Sequence, residues 1–133
     1  MRLLQVLSLS HSYITELPNS ICKLEYLWYI DLSHTTIKKL PESVCALRNL
    51  QTIILSNCQF LTMLPEEMWK LLNLRHLDIS GTALSEMPKK LSMLKDLQTL
   101  SCFVVGKKSS STIKELGGFS IFMEHLNFWS YKT

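Results

Sequence analysis

Every proline of the chain falls at one point of a repeating register, and that register limits the fold more than any other feature of the sequence. With Leu4, Leu27, Leu50, Leu74 and Leu97 as first positions, the units are 23, 23, 24 and 23 residues apart, and Pro18, Pro41, Pro65 and Pro88 line up. The shared pattern reads Leu-x-x-Leu-x-Leu-x-x-(Ser/Thr/Cys)-x-Ile, then Leu-Pro, then an aliphatic residue followed by x-x-Leu. In the unit from Leu50 to Leu74, Leu50, Ile53 and Leu55 mark a strand, and Met68, Leu71 and Leu74 follow at helical spacing. One such unit cannot bury its apolar face alone, so each must stack on its neighbours and stability becomes a sum over adjacent pairs. The expected fold is a curved α/β repeat solenoid. A parallel strand ribbon lines its inside, and short helical or 3-10 arcs form the convex side.

Four full units and a fifth strand are expected over residues 1–105, followed by a loop, a short helix and a divergent tail over 106–133. In unit two, Leu27, Ile30 and Leu32 point inward from the strand, while Ile37, Leu40, Val44 and Leu47 fill the turn and arc. The ninth position, held by Ser12, Thr35, Cys58 and Thr82, must satisfy backbone groups where the strand turns away. Hydroxyls do this well and the Cys58 thiol weakly. The prolines belong in the bend after the strand, where a missing N–H costs little. The extra residue of unit three is expected between Phe60 and Leu64, and that unit is where the stack should bend or loosen. Beyond Ser101, Phe103-Val104-Val105 reads as a strand, and Thr112 to Glu115 as a capping box opening a helix that Gly117-Gly118 ends.

With 47% apolar and 19% charged residues, the chain is neither disordered nor fibrous. Its formal charge of +3 is spread along the array instead of forming the one-sided basic stripe that nucleic acid needs, so no nucleic-acid partner is expected. No apolar run approaches the roughly 18 residues of a membrane span, and Met1 leads straight into repeat material without a signal peptide. No Asn opens a glycosylation sequon, and the four cysteines show no CxxC pairing. A cytoplasmic chain with reduced, packed cysteines and no membrane partner is the expectation.

The runs IDLSHTTIKKLPESVCALRNLQTIILSNCQFLTMLPEEM and NLRHLDISGTALSEMP carry the pattern of the leucine-rich repeat. Together with ITELPNSICKL and KDLQTLSCFVVGKKSSSTIKELG, they resemble the first repeats of plant intracellular disease-resistance proteins of the nucleotide-binding leucine-rich-repeat family. The resemblance covers about residues 2 to 118 and extends to wording that core packing does not dictate, such as SCFVVGK and IKELGG. It implies part of an immune receptor that senses pathogen effectors or restrains a neighbouring nucleotide switch. After Phe119 the family continues with further repeats, whereas this chain ends in SIFMEHLNFWSYKT, which suggests a truncated product or fragment.

The residues offer no catalytic constellation, so no enzyme is expected. Gly106-Lys107 is the only Gly-Lys pair, with Ser101 where a phosphate loop needs its first glycine and Lys108 where it needs Ser or Thr. No cofactor is expected. His11 and His34 share the eighth position of adjacent units and should stand about one strand spacing apart, but the next units offer Asn57 and Gly81, so no metal site is expected. Asp31 and Asp78 share the fifth position two units apart, roughly 9–10 Å by strand spacing, with Ile54 between them. That separation makes no acid–base dyad. Ser10, Ser33, Ser56 and Ser80 form a polar ladder at position seven with no His–Asp partners.

Function therefore rests on the side chains of the concave face. These are Val6 and Ser8; Trp28, Tyr29 and Asp31; Thr52 and Ile54; Arg75, His76 and Asp78; with Gln5, Gln51, Gln98, Thr99 and Ser101 around them. Adjacent aromatics in a strand cannot both face the core, so Tyr29 should be exposed beside Val6 and Thr52, while Trp28 either joins it or folds over the strand edge. The leading expectation is a protein-interaction module. By resemblance its partner is a pathogen effector, a guarded host protein or the nucleotide-binding domain of a parent receptor. An inert remnant with open repeat ends and a cytosolic scaffold outside immunity are the alternatives.

Overall fold

The computed structural model describes residues 3–101 and the backbone of residues 103–104, 127–128 and 131–132. Five short strands recur at the repeat spacing: β1 Val6–Ser8, β2 Tyr29–Asp31, β3 Thr52–Ile54, β4 His76–Asp78 and β5 Thr99–Leu100. All pair in parallel, and the register joins equivalent positions: Val6, Tyr29, Thr52, His76 and Thr99 form one row, and Leu7, Ile30, Ile53, Leu77 and Leu100 the next. The inward row is apolar because a strand turns alternate side chains to opposite faces. From Ile30 onward those side chains are buried, and Leu7, at the open edge, is half-buried.

Among the described residues four short 3-10 helices lie opposite the strands: Asn19–Lys23, Glu42–Ala46, Met68–Lys70 and Leu91–Met93. Pro18 and Pro41, with φ of −70° and −68°, precede the first two. The carbonyls of Pro18, Pro41 and Pro65 accept the amides of Ile21, Val44 and Met68, so the ring fixes the entry angle without removing a needed donor. Each turn projects one aliphatic residue inward (Ile21, Val44, Met68, Leu91), and these close a continuous core with the Leu24-to-Leu94 series. Burying each such side chain contributes about 1.5–3 kcal/mol. No unit holds enough of them to stand alone.

The inserted residue of unit three lies earlier than its composition suggests. Leu61 occupies the buried place that Ile37 holds in unit two, and the Leu61 amide donates to the Cys58 carbonyl at 3.1 Å. Gln59 and Phe60 form the extra turn, ahead of Leu61 and not between Phe60 and Leu64. A turn on the surface absorbs one residue without altering the ladders on either side. Accordingly β3 pairs in step with both β2 and β4, so the strand ladder of this unit does not loosen. A second set of contacts runs along the far side of that turn, through Lys38 to Thr15, Thr62 to Lys38 and the Lys39–Met63 bridge.

The ninth-position side chains also divide differently from the expectation. Ser12 and Thr82 donate to the carbonyls of Leu9 and Ile79 in their own units, at 2.6 and 2.8 Å. Thr35 does not reach Leu32; the Cys58 thiol, from the following unit, donates to that carbonyl at 3.0 Å and lies 3.5 Å from Thr35 Oγ1. The thiol therefore serves the neighbouring repeat.

The ribbon continues past the clear repeats. Strand β7, Asn127–Phe128, pairs in parallel with β5, and β6, Phe103–Val104, pairs with β8, Tyr131–Lys132. The strand expected at Phe103-Val104-Val105 is found over its first two residues; Val105, Cys102, the capping box and its helix lie outside the described residues.

Candidate concave binding face

Three rows of side chains cross the strand face at right angles to the strands. Gln5, Trp28, Gln51, Arg75 and Gln98 precede the strands; Val6, Tyr29, Thr52, His76 and Thr99 open them; Ser8, Asp31, Ile54, Asp78 and Ser101 close them. All ten residues singled out from the sequence fall on these rows. None has a buried side chain, so the face presents side chains in steps of one strand spacing, about 4.8 Å.

Tyr29 stands between Val6 and Thr52 as its register requires, but it is half-buried and not exposed as expected, because the Trp28 ring packs against it. Trp28 remains 38% exposed and meets Tyr29 edge to face, with ring centroids 5.8 Å apart and planes at 68°. Each ring limits the other's motion, and such pre-ordered aromatics are common anchors at protein interfaces. Val6, at 46% exposure, extends the apolar patch toward the first strand.

Across β3 to β5 the face sinks into a cavity of about 630 Å³ lined by Thr52, Ile54, His76, Asp78, Thr99 and Ser101, among others. Its polar groups are held in place. His76 Nδ1 and Thr99 Oγ1 are 2.6 Å apart, and Asp78 Oδ1 accepts bonds from Ser80 N, Ser80 Oγ and Ser101 Oγ. Ser101 Oγ also accepts the Ile79 amide. Asp31 Oδ1 accepts the Ser33 amide at 2.9 Å in the same kind of turn. Among the described residues the only ion pair is Lys70–Glu67 on the convex side, so the face carboxylates are without cations. Asp31 and Asp78 flank Ile54 in register, one strand to each side.

At the rim, His11 and His34 stack with centroids 4.5 Å apart and planes at 7°. Parallel rings direct their nitrogen lone pairs side by side and not onto one point, which is poor geometry for a shared metal ion. Among the described residues no group of three or more His, Cys, Asp or Glu side chains gathers as metal ligands. The eighth position carries a different constraint: His11, His34, Asn57 and Gly81 all have φ between 56° and 70°. Glycine and asparagine adopt that backbone readily and histidine less so. Comparing the eighth positions as a column, with Asn57 and Gly81 in it, is the sequence signal for this left-handed turn. The Asp78–Ser101 and His76–Thr99 links have no signal within one unit, because each joins residues 23 apart.

Comparisons with known proteins agree with this geometry. Residues 25–123 match the family described as leucine-rich repeat region, and residues 3–24 match a leucine-rich repeat. An Arabidopsis thaliana protein provisionally named a disease resistance protein is 54% identical over 58 residues, 44% of this chain and 4% of that protein. Among solved structures, a leucine-rich repeat protein of Leptospira interrogans is 30% identical, with a TM-score of 0.74 over 91% of this chain and 30% of its own. The leucine-rich repeat ectodomain of the Arabidopsis thaliana receptor kinase GASSHO1, solved in complex with Casparian strip integrity factor 2, has a TM-score of 0.73 at 24% identity. That alignment covers 99% of this chain and 16% of the ectodomain, and at this identity it bears on the fold alone. The chain thus spans a small part of each of these proteins. Repeat period, strand register, 3-10 arcs and family match converge: the chain belongs to the leucine-rich repeat family.

Proposed function

We propose that this chain is a protein-interaction module of a plant immune receptor, which uses its concave strand face in effector recognition or in autoinhibition. The observation that carries the proposal is the face itself: paired aromatics, an open cavity and carboxylates that pair with no cation among the described residues, all in register on one parallel ladder. The immune setting is supported by the resemblance of residues 2–118 and by the segment shared with the Arabidopsis protein. The partner is a pathogen effector, a guarded host protein or the nucleotide-binding domain of a parent receptor, and the setting is cytoplasmic. The face binds without catalysis, cofactor or metal.

The test is partner capture from plant tissue with the tagged chain, followed by mass spectrometry, comparing wild type with Tyr29→Ala and Arg75→Ala. Loss of one protein from both variants at unchanged urea midpoint supports the proposal. Unchanged capture at unchanged stability removes these residues from the interface.

A further inference from the structure

We infer that the partner surface fitting this face is cationic: two Lys or Arg side chains about 10 Å apart with an aliphatic side chain between them. This rests on the reading of the concave face as the binding face and specifies what it takes. Asp31, Ile54 and Asp78 are consecutive in one row, so the row presents acid, aliphatic and acid at steps of about 4.8 Å. The rest of the row and the rim behind it hold Ser8 and Ser101, the position-seven serines, His11, His34, Asn57 and Gly81. Among the described residues no Lys or Arg stands there to neutralise the carboxylates. Arg75 lies three residues earlier, on the opposite margin of the face.

The carboxylates are also oriented. All donors to Asp78 among the described residues, Ser80 N, Ser80 Oγ and Ser101 Oγ, converge on Oδ1. Oδ2 is left for a charge-assisted bond from an incoming cation, which is stronger than a neutral one. Asp31 is bonded through Oδ1 to the Ser33 amide in the same way. Between the carboxylates the half-buried Ile54 faces the cavity of about 630 Å³, which has room for an aliphatic side chain. An α-helix laid across the strands matches this spacing: residues i, i+3 and i+7 share one face at rises of about 0, 4.5 and 10.5 Å.

The experiment uses the full chain and two fluorescein-labelled helical peptides with leucine at i+3, one with arginine and one with glutamate at i and i+7. Anisotropy titrations at low salt should show the arginine peptide binding at least about tenfold more tightly than the glutamate peptide. Asp31→Asn and Asp78→Asn should each reduce that preference several-fold, whereas Glu67→Gln on the convex side should not. Asn can accept the same serine bonds, and Asp31→Asn supplies the test alone where Asp78→Asn lowers the melting temperature. Equal binding of the two peptides, absence of binding, or indifference to both Asn variants would overturn the inference. If Tyr29→Ala abolishes natural capture while the arginine peptide fails to bind, only the cationic partner is refuted. If concave variants leave capture intact, the underlying binding face is refuted instead.

Discussion

The thiol of Cys58 donates to the carbonyl oxygen of Leu32, 3.0 Å away in the preceding repeat. Both residues are fully buried, so without the thiol that carbonyl would lose a partner where water does not reach. Cys58→Ala should therefore destabilise the chain by about 1–3 kcal/mol. Cys58→Ser, which restores an O–H donor, should remain within about 1 kcal/mol of the parent. Urea unfolding midpoints at constant slope measure both.

Gly81 sits at φ +70°, and a Cβ there would lie 2.5 Å from Asn57 Oδ1. Gly81→Ala should lose about 1–2 kcal/mol from the left-handed backbone alone. Adding Asn57→Gly removes the side-chain clash but leaves the Asn57 Cα 3.2 Å away and the backbone cost in place, so the double variant should recover only part of the loss. Complete recovery would show that crowding and not φ dominates.

Phe60 is 56% exposed and belongs to the extra turn ahead of Leu61. Deleting it returns unit three to the common length and leaves the ladder through Ile53 and Ile54 in step. The deletion should fold cooperatively with a stability change under about 1 kcal/mol. Deleting Ile53 instead turns the following strand residues to the wrong face and should abolish the cooperative transition.

Burial pushes the Cys45 thiol from its ordinary 9.0 up to about 11, with the nearby carboxylates of Glu42 and Glu67 adding to the effect. At pH 8 only about one thiol in a thousand is then ionised, so alkylation of Cys45 followed by mass spectrometry should be slow and rise about tenfold per pH unit. A raised folded-state pKa means that the contribution to stability is intact below pH 9 and is lost as pH climbs toward 11. Cys45→Ser should lose less stability than the parent across that interval.

The architecture was legible because the repeat writes the same physical requirement five times. Leu27, Leu50, Leu74 and Leu97 are buried for one reason, and their spacing fixes the register that places Tyr29 beside Val6 and Thr52. The rows of the candidate face follow from that register, including the separation of Asp31 from Asp78 by Ile54. What a single sequence does not display are choices between neighbouring units. Whether Thr35 or Cys58 serves Leu32 depends on side-chain reach across the stack, and both are plausible from residue type. The location of the extra residue depends on whether Leu61 or a later residue fills the place of Ile37, a packing decision among several apolar candidates. The pairing of Asn127–Phe128 with β5 joins segments with no common period, so no pattern announced it.

The most direct test of the concave face as the interface is site-specific photocrosslinking in plant extract, with benzoylphenylalanine at Thr52 on the strand face or at Leu72, 56% exposed on the convex side. The proposed concave interface predicts a discrete higher-mass adduct from Thr52 and none from Leu72. A discrete adduct from Leu72 with none from Thr52 would contradict it.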